Sequence, residues 1–282
     1  MFLLAMTTIP PRASSPDFIQ RLQRLRDIQT RPFHKLFLSI PHEYRRFPHD
    51  CINKTVLDTL ESMDWIDILL LEEDYGPASK FLGPLLHRRQ EVMDATGIII
   101  IDDDRDYSPT LVERYEDFFL KHPTITVATG NQELYFHRLL YPSLSPDFVD
   151  VRLSRTRRVS GFMSFCLARV SPETIDILCR YTQQVLHNVP SAFFHDEGIL
   201  WIFLHVMDIA VYNINHPFVS SINKEAPEAL CENTPTPRTN IEKAIWDWTH
   251  SHFPNPNPNP NKILSFPFSP SQTRLQRHTR WG

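Results

Sequence analysis

Glycine is scarce in this chain, with seven in 282 residues, and no GxGxxG or GxxxxGK[ST] run occurs. The chain therefore offers poor material for a glycine-rich loop whose backbone cradles phosphates. The four cysteines (Cys51, Cys166, Cys179, Cys231) are scattered without CxxC or zinc-ligand spacing, which excludes a zinc module and argues against a disulfide framework. Cys166 and Cys179 lie in apolar stretches and are expected as buried thiols in a reducing compartment. Charge of one sign is also missing: the formal net charge of −4 gives no general attraction to nucleic acid or an anionic membrane. The basic stretch Arg152–Arg158 reads as a solvated loop. No long apolar run is present. The N-terminal Met1–Met6 is too short, lacks a basic flank and runs straight into Thr-Thr-Ile-Pro-Pro, so it reads as a first strand rather than a signal peptide or membrane span. A soluble, cytoplasmic protein is the expectation. Hydrophobic content of 41% and aromatic content of 11% are enough for a real core.

Against these absences stands residues 98–107, Ile-Ile-Ile-Ile-Asp-Asp-Asp-Arg-Asp-Tyr. Four β-branched residues make a strand suited to burial on both faces, as in the centre of a parallel sheet. Carboxylates are rarely buried without a partner, so Asp102, Asp103 and Asp104 belong where the strand leaves the core. That edge is where open α/β sheets bind ligands. Strand alternation would point Asp102 and Asp104 to one side and Asp103 to the other. Two hard oxygen donors on one side suit Mg²⁺ or Mn²⁺, which complete their shells with water and substrate phosphates. The plainer alternative is an inert acidic loop.

Strand and helix patterns alternate through the first two-thirds of the chain, which predicts βα units around a mainly parallel sheet. Strands are predicted over 2–6, 35–40, 66–71, 97–101, 125–128, 159–167 and 209–214. A helix should begin at Ser15-Pro16-Asp17 and bury Phe18, Leu22, Leu25 and Ile28. Further helices fall over 78–93, kinked or split at Gly83-Pro84, and over 109–121, 172–187, 197–206 and 241–252. The Pro-Asn alternation over 254–261 is a low-complexity linker. The chain divides into a domain over 1–224 and a C-terminal extension over 225–282 carrying a helix, this linker and a tail.

Three other segments bear on the acidic run. Thr7-Thr8-Ile9-Pro10-Pro11-Arg12 follows the first strand and suits either a nucleotide-gripping loop or an ordinary turn. Gly76-Pro77 opens a helix whose free N–H groups favour an anion. Lys80 stands in that first turn against the dipole, next to a phosphate or as a snorkelling surface residue. His195-Asp196-Glu197 sits at a helix start, where the acidic pair is either a cap or a carboxylate base.

Taken in order, these segments resemble the GT-A type of nucleotide-sugar-dependent glycosyltransferases. The likeness spans roughly residues 1–220 and rests on Thr7–Arg12, Gly76–Lys80, the Asp-x-Asp element Asp102-Asp103-Asp104 and the later pair Asp196-Glu197. It implies an α/β fold of GT-A-like, Rossmann-like design, a single domain with a mixed, mainly parallel central sheet flanked by helices. It implies Mn²⁺ or Mg²⁺ bound directly by Asp104, with Asp102 on the ribose or on the metal through water, and His216 as a further metal ligand. Thr7, Thr8, Arg12, Lys80, Asp102 and Asp103 would line the donor pocket. Asp196 or Glu197 would deprotonate the acceptor. The partners implied are a nucleoside-diphosphate sugar and a glycan or other hydroxyl acceptor. The glycine-rich acceptor segment of that family appears only as Ser160-Gly161-Phe162. Two other readings stay open: a nucleotidyltransferase or phosphohydrolase using the same carboxylates, and a non-catalytic nucleotide-sugar-binding module.

Overall fold

A computed structural model of the chain describes residues 1–130, 154–156, 159, 163–214, 219–222 and 236–252. Strand β1 (Phe2–Thr7) runs into a one-turn helix α1 (Pro10–Ala13) and then α2 (Phe18–Ile28). Next come β2 (Lys35–Pro41), α3 (Lys54–Glu61) and β3 (Ile66–Leu71). After a 3₁₀ turn at Gly76–Ala78 follow α4 (Ser79–His87), α5 (Arg89–Asp94), β4 (Gly97–Ile100), β5 (Arg105–Tyr107) and α6 (Leu111–Lys121). The remaining strands are β6 (Val127–Gly130), β7 (Ser154–Thr156), β8 (Phe165–Leu167), β9 (Val211–Ile214) and β10 (Val219–Ile222). Helices α7 (Pro172–Asn188), α8 (Asp196–Val206) and α9 (Arg238–His252) complete the described chain.

Eight strands form one sheet in the order β3-β2-β1-β4-β8-β6-β9-β7, and β5 pairs with β10 in a small separate ladder. The β3-β2-β1-β4 half is parallel throughout, while β8 runs antiparallel to both β4 and β6. The sheet is thus mixed and mainly parallel, with helices on its faces, as expected from the alternating pattern. Burial explains the composition of its centre. Leu3, Leu4, Ala5, Ile98, Ile99 and Ile100 are fully buried, and alternate residues feed two apolar cores on opposite faces of the sheet.

The chain departs from β1 to β2 and β3 on one side, and β4 joins on the other. The carboxyl ends of β1 and β4 therefore flank a point where strand order reverses, and such a point opens a crevice. Their register, Phe2↔Gly97 through Ala5↔Ile100, carries Thr8 alongside Asp103 just beyond the strands.

Several local expectations differ from the structure. The helix expected to break at Gly83-Pro84 continues to His87 and breaks at Arg88, whose φ of −132° and ψ of 32° leave the helical region. Residues from Ser79 to Leu85 are all buried, and Gly83 lies against β2 so closely that an added Cβ would stand 2.0 Å from Ser39 Oγ. Packing on the sheet outweighs the proline here. Helix α3 escaped prediction; Asn53 caps it, its side chain accepting from the Thr55 N–H. Ile28 ends α2 exposed rather than buried. The strand expected over 159–167 is confined to Phe165–Leu167 among the described residues. The basic stretch expected as a loop contributes β7, which pairs antiparallel with β9. The C-terminal helix buries Ile241 and Ile245 in the same core as Leu200 and Trp201. Among the described residues, no helix is long and apolar enough to cross a membrane.

Candidate active site

Beyond Ile101 the backbone turns, so strand alternation no longer governs the acidic run. Asp103 accepts a 2.7 Å hydrogen bond from the Thr8 hydroxyl and pairs with Arg12 Nη1 at 2.5 Å. Asp104 is approached by Arg12 Nη2 and by Arg105 Nε, each at 3.2 Å. Asp102 pairs with Lys80 Nζ at 2.7 Å, and its backbone N–H donates to the Tyr107 hydroxyl. The shared side expected for Asp102 and Asp104 therefore gives way to a different grouping, in which Asp103 and Asp104 share one arginine.

Lys80 neither snorkels to water nor faces an open cradle. It is buried at 3% exposure, and its ammonium also meets Asp196 Oδ2 at 2.8 Å. This cation in the wrong place for the helix dipole is explained by two carboxylates, one from β4's end and one from α8's first turn. The anion at the start of its own helix is a side chain of the chain itself: Asp74 accepts from the Gly76 N–H and from the Arg45 N–H, each at 2.8 Å. Gly76 holds φ at +58°, and an added Cβ would stand 2.5 Å from the Phe193 carbonyl oxygen, so glycine alone suits this turn.

Electrostatics follow from the same geometry. Burial lowers the Lys80 ammonium's preference for charge, but Asp102 and Asp196 outweigh it and hold the group well above the usual lysine range. Burial would likewise raise Asp102, yet Lys80 and then Arg105 and Arg12 keep its carboxyl below the ordinary carboxylate range. Asp104 goes the other way. Burial, with Asp102 and Asp103 adding repulsion, raises it despite Arg12 and Arg105. Four carboxylates thus face three cations, and burial is the largest of the influences that raise Asp104.

Known families and curated protein sequences offer no match to the chain. Among solved structures, it is similar to mouse xyloside xylosyltransferase 1 in its apo form. The TM-score is 0.33 and the identity 15%, over 73% of this chain and 81% of that chain.

The remaining expected residues divide. Thr7 gives its hydroxyl to the Ser39 carbonyl at 2.8 Å, tying β1 to β2. Glu197 lies beside Asp196 in the first turn of α8, 3.8 Å from Arg238 of α9. His216 and Ser160-Gly161-Phe162 lie outside the described residues. Among the described residues, no group of three or more His, Cys, Asp or Glu side chains could hold a metal ion by protein donors alone. A hard cation here would have to be held through one or two of these carboxylates, with the rest of its shell supplied by other donors.

Three site residues escaped prediction. Arg105 and Tyr107 follow the acidic run directly and were legible only as its neighbours. Tyr44, in the loop after β2, is buried, and its hydroxyl has no hydrogen-bond partner among the described residues. Burial, then the charges of Asp74 and Asp103, hold that phenol well above its usual range. No local pattern distinguishes it.

Proposed function

We propose that the protein transfers a sugar from a nucleoside diphosphate to a hydroxyl acceptor with the help of Mn²⁺ or Mg²⁺. One observation carries the reading. Four segments far apart in sequence, Thr8–Arg12, Lys80, Asp102–Arg105 and Asp196–Glu197, meet in a single charged cluster at the sheet's reversal point. That convergence brings together the pieces of the glycosyltransferase resemblance through ion pairs that the sequence order does not dictate.

In this mechanism Asp104 would hold the cation, with Asp102 serving it through water or holding the donor ribose. When bound, the metal neutralises the leaving diphosphate as Lewis acid and template. Arg12 and Arg105, both on Asp104, are guanidiniums able to turn to diphosphate oxygens as fixed, always-charged donors. Lys80 locks Asp102 and Asp196 in one frame, so donor and acceptor sides share a cation. The acceptor hydroxyl's proton would go to the Asp196–Glu197 pair, of which Glu197 is the more exposed, at 22% of its side chain against 11%. A base opposite the departing diphosphate favours inversion. His216 stands as a further metal ligand to be tested.

A thermal-shift panel of nucleoside diphosphates and their sugars, with and without Mn²⁺, tests the reading. A nucleoside diphosphate should stabilise the protein only when metal is present, and Asp104→Asn should lose that response. Full nucleoside diphosphate release by Asp104→Ala in excess EDTA would remove the metal from the mechanism. Release of inorganic phosphate or pyrophosphate would move the assignment to phosphoryl chemistry.

A further inference from the structure

Helix α8 starts without a side-chain cap, although it carries Asp196 and Glu197 in its first two positions. The residue before it, His195, is fixed in another way. Its Nε2 lies 3.0 Å from Glu242 Oε1 on the C-terminal helix α9, and both side chains are at least nine-tenths buried. The imidazole lies across the first turn of α8, where an added Cβ on Gly198 would stand 2.7 Å from His195 Cδ2. A second contact runs the same way, from Arg238 at the start of α9 to Glu197 at 3.8 Å.

Docking α9 does not require this pair. Ile241 and Ile245 are buried, Tyr181 and Thr249 share a 2.9 Å hydrogen bond, and Trp201 stacks on Trp246 at 6.0 Å. A buried charge-bearing pair is a poor source of stability compared with apolar packing, but unlike apolar packing it fixes direction. A small rotation of His195 would re-aim Asp196, which must meet Lys80 at 2.8 Å, and Glu197 beside it.

We propose that Glu242 is a positioning residue: through His195 it aims the Asp196–Glu197 pair at the acceptor, making the C-terminal helix a working part of the site. This rests on the glycosyl-transfer reading above. The test compares full-length wild type with Glu242→Ala and Glu242→Gln. The first readout is backbone hydrogen exchange over residues 196–200 and 98–101. The second is stabilisation by UDP or GDP with Mn²⁺. The third is nucleoside diphosphate release to water from UDP-glucose, UDP-N-acetylglucosamine and GDP-mannose.

In Glu242→Ala, exchange over 196–200 should rise at least tenfold while that over 98–101 stays unchanged. Release should fall tenfold or more in kcat, with KM for the nucleotide sugar and the nucleotide-induced stabilisation within twofold of wild type. Glu242→Gln keeps an acceptor for the imidazole and should recover most of the loss. Unchanged exchange over 196–200, unchanged kcat, or a parallel loss of nucleotide binding would overturn the proposal. Should Glu242→Ala fail to fold, Glu242→Leu takes its place: a folded protein that loses kcat tenfold with nucleotide binding kept supports the proposal, and one with wild-type exchange and wild-type kcat overturns it. If wild type releases nucleoside diphosphate from none of these sugars, the transfer reading fails, and the exchange data alone decide whether Glu242 holds the pair.

Discussion

Replacing Lys80 with methionine keeps the length of the side chain and removes its charge. In the native protein this ammonium is buried between Asp102 and Asp196, at 2.7 and 2.8 Å. Removing one partner of a buried ion pair costs about 3–5 kcal/mol, because the other partner is left charged and uncompensated. Here two carboxylates are stranded, but Asp102 keeps 26% of its side chain exposed and Asp196 11%, so water softens the loss. The lower end, ~3 kcal/mol, is the expected penalty at pH 7.5. With a urea m-value of about 3 kcal/mol/M, the unfolding midpoint should fall by about 1 M.

The pH dependence distinguishes this cause from a packing defect. In wild type the Asp102 carboxyl lies below its unfolded value, so its contribution is complete above about pH 4 and is lost only as pH falls through the lower folded value. Between pH 7.5 and 5 it changes nothing. In Lys80→Met the largest attraction is gone and burial is opposed only by Arg105 and Arg12, so the expectation is that Asp102 rises above its unfolded value. Such a group destabilises the charged form and recovers stability as pH falls through its folded value. The deficit of Lys80→Met should therefore narrow between pH 7.5 and pH 5, followed by circular dichroism during urea unfolding. An unchanged midpoint at pH 7.5, or a deficit that widens on acidification, would refute the ion-pair account.

Other perturbations follow from single contacts. Gly76→Ala places a Cβ against the Phe193 carbonyl in a left-handed turn, and should cost about 2 kcal/mol; calorimetry should show Tm lower by ~4 °C. Thr8→Val removes a hydrogen bond to a buried carboxylate that Arg12 still holds, for a loss of ~1.5 kcal/mol in urea unfolding, which Thr8→Ser should restore. Of the described cysteines, exposed Cys51 should react with a thiol reagent within minutes, followed by mass spectrometry. Cys166 and Cys179 should stay unmodified until the protein unfolds: burial raises both thiols, that of Cys179, beside Asp176, to about 12.

Which parts of this were legible in the sequence depends on how local the cause is. The run 98–104 declares itself, since four isoleucines followed by three aspartates allow little but a buried strand ending at a polar edge. Lys80 was legible as an anomaly, a cation at a helix start, yet its partners were not. They lie 22 residues ahead and in a helix near residue 196, and no periodicity encodes a pairing of that span. The same limit hid the sharing of Arg12 by Asp103 and Asp104, because alternation describes strands and the chain has already turned. Gly83-Pro84 misled for the opposite reason, a strong local signal overridden by close packing of α4 on β2. Tyr44 had no signal at all, being one aromatic in a loop.

On the proposed function, the lengths of the ion pairs bear on where a metal-bound diphosphate would enter. A carboxylate triplet at a buried edge can exist only if each member is matched, and here Lys80 matches Asp102 while Arg12 is shared by Asp103 and Asp104, the latter with Arg105 as well. Asp102 and Asp103 hold their cations at 2.7 and 2.5 Å, whereas both contacts of Asp104 are 3.2 Å. Asp104 is also the carboxylate that burial and its acidic neighbours push upward. Exchange of a guanidinium for another cation would then be expected first at Asp104, and the arginine released there would already lie beside the incoming charge. A diphosphate arriving with a divalent ion would take up both at once, the ion on the carboxylate and the phosphate oxygens on the freed guanidinium. Asp102 and Asp103 would meanwhile stay locked to Lys80 and Thr8, so the frame that joins the donor side to Asp196 would persist while the ligand exchanges.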